Sequence, residues 1–265
     1  MRPLRVISLN ANGLRSAASK GFRDWLAAQD ADVCCLQEIR VAADQLHDGL
    51  QPPPGWHARW QCAERPGYAG VAIWSRAEPE RVRAGIGVAE FDAEGRVLAA
   101  DFAGLRVVSL YLPSGSSSEE RQRAKFRFME SFAPWLARQR RARRPVLVCG
   151  DWNIAHTEKD LKNWRANRDH SGFLPEERAW LGGVFDSGWC DVFRRLHPEA
   201  EGDGYTWWSN RGQARAKNVG WRIDYQVATP ALAERAVAAR VHRADRFSDH
   251  APLIVDYAAA IPGYD

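Results

Sequence analysis

The sequence predicts an α/β domain with more than one layer of sheet, and three features predict it. Short apolar runs recur along the whole chain, each closing on polar residues. Helical spacings of large apolar side chains fall between those runs. Neither a linker-like break nor a short-period repeat divides the 265 residues, so the chain reads as one domain over 1–265.

Residues 4–10 read as a strand, and residues 20–29 as a helix, because Phe22, Trp25 and Leu26 share a face. Residues 33–36 form a short buried strand ending in Gln37 and Glu38, and 70–74 and 105–112 are further strands. A long helix is expected over 117–141. Ser117 with Glu120 reads as a capping box, while Phe128, Phe132, Trp135 and Leu136 supply an apolar stripe. Pro134 lies inside this helix and should kink or interrupt it. The strand 145–149 leads into a polar stretch reaching residue 174. Pro175, Glu176 and Glu177 then open a helix whose buried face carries Trp180, Leu181, Val184 and Phe185. Strands near 222–228, 236–242 and 252–257 finish the domain.

Composition bounds the function. Apolar content of 45% and charged content of 26% are those of a soluble globular protein, and no apolar run is long enough to span a bilayer. The run from Val6 to Leu9 is too short and too quickly polar for a signal peptide, so a cytoplasmic protein is expected. The five cysteines agree: their number is odd, Cys34 and Cys35 are adjacent, and reduced buried thiols are the default. A net charge of +4 permits a polyanionic partner without requiring one. The arginines at 138, 140, 141, 143 and 144 read as a solvated helix end. Arg211, Arg215, Lys217 and Arg222 are interleaved with Trp207, Trp208 and Trp221, a mixture that fits phosphate contact plus stacking.

Polar clusters at strand ends point to a site. They are Asn10 with Asn12, Gln37 with Glu38, Asp151 with Asn153, and Ser248-Asp249-His250, joined by Asp224 and Tyr111. Singly, each is an ordinary cap or solvated loop residue, and Trp207 and Trp221 are ordinary core residues. Together they are a set of hard oxygen donors. Positions i and i+2 at a strand end face the same way, so Asp151 and Asn153 would share one cleft. His250 is the one histidine in the set, and no thiolate cage accompanies it, which argues against zinc. Carboxylates and amides suit Mg²⁺, with Mn²⁺ as the alternative, and enzymes with such sites act on phosphate esters.

The motifs also resemble a known family. Asn10-Ala11-Asn12-Gly13-Leu14-Arg15, Leu36-Gln37-Glu38, Tyr111-Leu112-Pro113, Gly150-Asp151-Trp152-Asn153, Gly172 to Arg178, Gly220 to Tyr225 and Ser248 to Pro252 are similar, in order, to the exonuclease III family of DNA repair nucleases. The resemblance implies a four-layer α/β sandwich of two packed mixed sheets flanked by helices, with the site at one edge. It implies abasic-site endonuclease and 3′-5′ exonuclease activity of base excision repair, leaving a 3′-hydroxyl. The partner would be double-stranded DNA with abasic sites, nicks or recessed or blocked 3′ ends, bound by a monomer away from any membrane.

Roles follow from the same resemblance. Glu38 would be the principal metal ligand, helped by Asn12 and Asp249. Asp151 would orient or deprotonate the attacking water, with Asn153 holding it or the phosphate. Asp224 and His250 would form a carboxylate–imidazole pair, Tyr111 would bind phosphate, and Asn10 would be a supporting amide. Trp207 and Trp221 would wall the pocket for an extruded sugar or terminal nucleotide, and Arg15, Arg215, Lys217 and Arg222 would contact phosphates. Such contacts make affinity fall steeply with salt.

Departures sharpen the expectation. Ser114-Gly115 stands where many relatives carry an amide, and Asn163-Trp164-Arg165 replaces Asn-Pro-Lys. His170 precedes Ser171-Gly172-Phe173 beside the DNA groove, where an imidazole would restrict an internal abasic nucleotide and favour 3′-terminal trimming. A second class also resembles the chain: catabolite-repression control proteins, RNA-binding translational regulators that have lost catalytic residues. Glu38, Asp151, Asn153, Asp224, Asp249 and His250 are all retained here, which weighs against that reading. Phosphoinositide phosphatases and sphingomyelinases share the fold, but no membrane-binding stretch supports a lipid substrate.

Overall fold

A computed structural model describes residues 2–258. Its strands are β1 Leu4–Asn10, β2 Val33–Gln37, β3 His57–Gln61, β4 Val71–Ser75, β5 Arg81–Ala84, β6 Val97–Phe102, β7 Leu105–Tyr111, β8 Val146–Asp151, β9 Cys190–Asp191, β10 Trp207–Trp208, β11 Gly220–Trp221, β12 Asp224–Ala228, β13 Ala236–Val241 and β14 Leu253–Tyr257. They build two six-stranded sheets, ordered β13-β14-β1-β2-β4-β3 and β5-β6-β7-β8-β12-β9, plus a two-stranded ribbon of β10 and β11. The expected four-layer arrangement is what forms.

The period-2 alternation of strands explains the layering. Leu4 and Val6 of β1 face Leu147 and Cys149 of β8 in a core between the sheets. Ile7 and Leu9, one residue out of phase, face the helices Leu14–Ser19 and Phe22–Ala27 on the outside. On the far side, Val146 and Val148 of β8 meet the helices Glu119–Arg140 and Pro175–Asp186 through Phe128, Phe132, Leu181 and Val184.

Two expectations about the long helix need correction. Its cap is Ser118, not Ser117: the Ser118 hydroxyl accepts from the Arg121 amide at 3.2 Å. Pro134 does not interrupt it, and the helix runs unbroken over Glu119–Arg140. Phe128, Phe132, Trp135 and Leu136 are all buried against the second sheet, so packing outweighs the one backbone bond that proline removes. The strand expected near 222–228 starts two residues later, at Asp224, and the neighbouring Gly220–Trp221 belongs to the ribbon.

Strand direction places the polar clusters. β1 runs parallel to β2, and β7 parallel to β8, so their carboxyl ends share a rim. β14 is antiparallel to β1, and β12 to β8, so residues at or before their amino ends reach that rim too. Asn10, Glu38, Tyr111 and Asp151 arrive by the first route; Asp224, Asp249 and His250 arrive by the second. Beneath the rim the sheets are cross-linked. Gln37 Nε2 donates to Ser109 Oγ at 3.0 Å, and Gln226 Nε2 donates to the Val6 carbonyl at 2.9 Å. Among the described residues no helix is long and apolar enough to cross a membrane.

Candidate active site

The rim opens into a cleft of about 420 Å³. Asn12, Glu38, Tyr111, Asp151, Asn153, His170, Trp207, Trp221, Asp249 and His250 all line it. Most residues named from the sequence therefore meet in one place; Asn10, Arg15, Arg215, Lys217, Arg222 and Asp224 do not line it.

Asp224 is not at the cleft surface; it sits behind His250 in register with Asp151. Arg215 and Lys217 do not line the cleft. Arg215 donates to the carbonyls of Arg243 and Asp245 and lies over Trp208 at 4.9 Å. Arg222 as a DNA contact is overturned. It is buried, binding Asp160 at 2.7 Å and Asp191 at 2.8 Å, and lies over the Tyr225 ring at 4.4 Å. An arginine sealed from solvent between two carboxylates cannot reach a phosphate. Asn10 lies just below the cleft surface, fully buried.

Asp151 is the centre of the arrangement. Its Oδ2 accepts from Asn10 Nδ2 at 2.9 Å, a bond that joins the two sheets, and from Asn153 Nδ2 at 3.2 Å. Its Oδ1 accepts from the Asn153 amide at 2.8 Å. Asn153 Nδ2 also reaches the Leu112 carbonyl at 2.8 Å, which fixes the amide plane. Burial pushes the Asp151 carboxyl up to about 8, with Asp224 and Glu38 adding repulsion and His250 opposing it.

His250 is bound through Nδ1 to Asp224 Oδ2 at 2.8 Å, leaving Nε2 3.9 Å from Asp151 Oδ2. Burial disfavours its imidazolium, but Asp224, Asp151 and Asp249 outweigh burial and raise it to about 10. At neutral pH the ring is a cation with both nitrogens protonated, a hydrogen-bond donor toward the cleft.

Glu38 and Asp249 flank this pair. Glu38 Oε1 accepts from Asn10 Nδ2 at 2.7 Å, and Oε2 accepts from Arg40 Nε at 3.0 Å. Asp249 accepts from Asn12 Nδ2 at 2.8 Å and Trp207 Nε1 at 3.1 Å. Burial acts to raise Asp249, but His250 and these donors hold it below its ordinary value. Burial, with Glu38 close by, pushes the Tyr111 phenol well up, so Tyr111 stays a proton donor.

Backbone strain marks the same residues. Asn12, Glu38 and Asn153 have φ of 44°, 47° and 52°, a left-handed conformation that costs non-glycine residues energy and gathers at functional sites. Arg40, at φ 50°, belongs to the group and was missed in the sequence. Its signal was legible: a cation two residues after an acid, just past a strand.

The donor set fits a hard divalent cation. Glu38, Asp151 and His250 bring atoms within 4.8 Å of one another. The imidazolium, committed to Asp224, is no ligand, which leaves the carboxylates and neighbouring amide oxygens. Burial raises Asp151, and the repulsion that Asp224 and Glu38 add is one that a cation would relieve.

The sequence and the fold both find counterparts among known proteins. Residues 7–250 match the Endonuclease/Exonuclease/phosphatase family. The exodeoxyribonuclease of Bacillus subtilis is 39% identical over 251 residues, covering 94% of this chain and 98% of that protein. The 3′-5′ exonuclease NExo of Neisseria meningitidis superposes with a TM-score of 0.89 at 28% identity, covering 97% of this chain and 100% of the other. An AP endonuclease from Archaeoglobus fulgidus gives 0.88 at 29% identity, covering 97% and 100%. Matched over residues 7–250 and 39% identical to a relative along nearly its whole length, this chain belongs to the endonuclease/exonuclease/phosphatase family.

Proposed function

We propose that the protein is a divalent-metal-dependent DNA phosphodiesterase of base excision repair, acting at 3′ ends of duplex DNA and leaving a 3′-hydroxyl. The observation that carries this is Asp151, poised between the Asn10 and Asn153 donors and the His250–Asp224 couple inside one cleft.

Glu38 would hold Mg²⁺ or Mn²⁺, with Asn12 and Asp249 beside it. Bound there, the ion would neutralise phosphate charge and lower the proton affinity of the acids around it. Asp151 orients a water for in-line attack and accepts its proton. Asn153 fixes the carboxylate plane, and its amide keeps the accepting oxygen directed. His250, as imidazolium, donates Nε2–H to a phosphate oxygen while Asp224 keeps the ring from rotating. The Tyr111 phenol donates to the same phosphate. Charge that builds on the phosphorus oxygens thus meets fixed donors, where preorganisation has its largest effect.

Trp207 and Trp221, at 6.4 Å and nearly perpendicular, form two walls of the sugar pocket. His170 is exposed at its rim. That position supports 3′-terminal processing over incision at an internal abasic site, since an imidazole at the entrance narrows the way for a nucleotide with chain on both sides. A protein that only bound RNA would have no use for four carboxylates held against mutual repulsion.

One assay tests the proposal. Purified protein with Mg²⁺ is given an internal abasic duplex, a 3′-phosphate end and a recessed 3′-hydroxyl side by side. Faster turnover of the two 3′ ends is expected. Equal turnover of the internal abasic duplex removes the role of His170, and no metal-dependent turnover of any substrate removes the nuclease reading.

A further inference from the structure

Lys125, on the long helix, and Glu177, in the first turn of Pro175–Asp186, form an ion pair at 2.6 Å with both side chains sealed from solvent. The chemistry above uses neither. Ions buried together lose hydration that their attraction scarcely restores, and replacing such a pair by apolar side chains is often neutral or stabilising. Burial lowers the Lys125 ammonium below its ordinary value even though Glu177 opposes this. The mutual attraction of the two charges therefore gives no reason for the pair.

Its other hydrogen bonds do. Lys125 Nζ donates to the Asn153 carbonyl at 2.8 Å, and Asn153 is the residue whose left-handed backbone aims its amide at Asp151. Glu177 Oε2 accepts from Gly172 N at 2.6 Å and Leu174 N at 3.1 Å, the chain segment just after His170. Gln122 Nε2 donates to Glu177 Oε1 at 2.9 Å and lies directly under Gly115, where a Cβ would collide with Gln122 and with Ser171. Three stretches of cleft wall, distant in sequence, rest on one enclosed pair of charges.

We propose that Lys125 and Glu177 are positioning residues, which lock the Asn153 backbone to the 170–174 wall so that the water-orienting face and the sugar pocket keep one fixed relation. The proposal rests on the nuclease reading above. Its two arms have separate kinetic signatures. The Lys125 arm acts through Asn153 on Asp151 and governs kcat. The arm through Glu177 and Gln122 governs the wall, and so KM.

The test compares the wild-type protein, the double variant Lys125→Met/Glu177→Leu, and Gln122→Leu, which leaves both charges in place. Each is assayed with Mg²⁺ on a duplex with a recessed 3′ end, and Tm is measured by calorimetry. The double variant is expected to stay folded with Tm lowered, because the Gly172 and Leu174 amides and the Asn153 carbonyl lose their partners, and to lose roughly 100-fold in kcat, the scale of a 1 Å misplacement. Gln122→Leu is expected to raise KM several-fold with kcat unchanged. A folded double variant that turns over as fast as wild type overturns the proposal. Should the double variant fail to fold, an unchanged KM in Gln122→Leu overturns it instead. Wild-type protein without nuclease activity would remove the reading beneath, a result distinct from either.

Discussion

Burial, with Asp224 and Glu38 close by, raises the Asp151 carboxyl to about 8, which favours its protonated form in the metal-free protein. A carboxyl in that state cannot accept a proton from water. Divalent metal should therefore displace a proton on binding, and apparent metal affinity should climb as pH rises toward 8 and level off above it. Calorimetric titration with Mg²⁺ at pH 7 in buffers of different ionisation enthalpy measures the release; a heat independent of buffer would contradict it. Asp151→Asn keeps the shape and the Asn10 contact but removes the base. It should lower single-turnover cleavage by about 10²–10⁴-fold while leaving duplex affinity, read by fluorescence anisotropy, near that of wild type. At this scale the site was legible where chemistry repeats at fixed spacing, as in Asp151-x-Asn153 and Asp249-His250. It was illegible where the partner lies far along the chain. Nothing near Arg222 in the sequence announces Asp160, 62 residues away, so a cation beside tryptophans passed for a DNA contact. Lys125 and Glu177 were hidden in the same way.

The elements show which physical signals a sequence exposes. Central strands such as β1, β2, β7 and β8 are covered on both faces and appear as uninterrupted apolar runs. The edge strands β3 and β5 escaped notice, since they are half-buried or exposed and owe their form to a neighbour's backbone. β6 was also missed: it mixes Ala99, Ala100 and Asp101 and is buried by position, not by composition. The long helix tests the balance of local and tertiary terms. Its Pro134 is tolerated because Phe132 and its neighbours anchor both flanks, and Phe132 stacks on Trp135 at 5.2 Å. Phe132→Ala should cost about 3–5 kcal/mol, measured by urea unfolding. Ser118→Ala should cost only about 1 kcal/mol. If the cap mattered more than the stripe, the helix would owe its continuity to local signals, contrary to the packing.

At the scale of the molecule, an acid-sensitive clasp joins loop and sheet. Burial acts to raise the Asp160 carboxyl, yet Arg222 and Arg194 overcome it and hold the group below the ordinary carboxylate range. The folded value lies below the unfolded one, so the stabilisation is complete above pH ~4 and disappears as pH falls through the lower folded value. Asp160→Asn should be less stable than wild type at neutral pH, with a shallower loss of stability between pH ~4 and pH ~2; unfolding followed against pH reads both slopes. The sheets themselves meet at the rim through Asn10 of one and Asp151 of the other, 141 residues apart. Neither half of the chain holds a working centre alone. A copy whose sheets have not closed on each other therefore lacks an assembled centre, and the power to cut DNA arrives only with that closure.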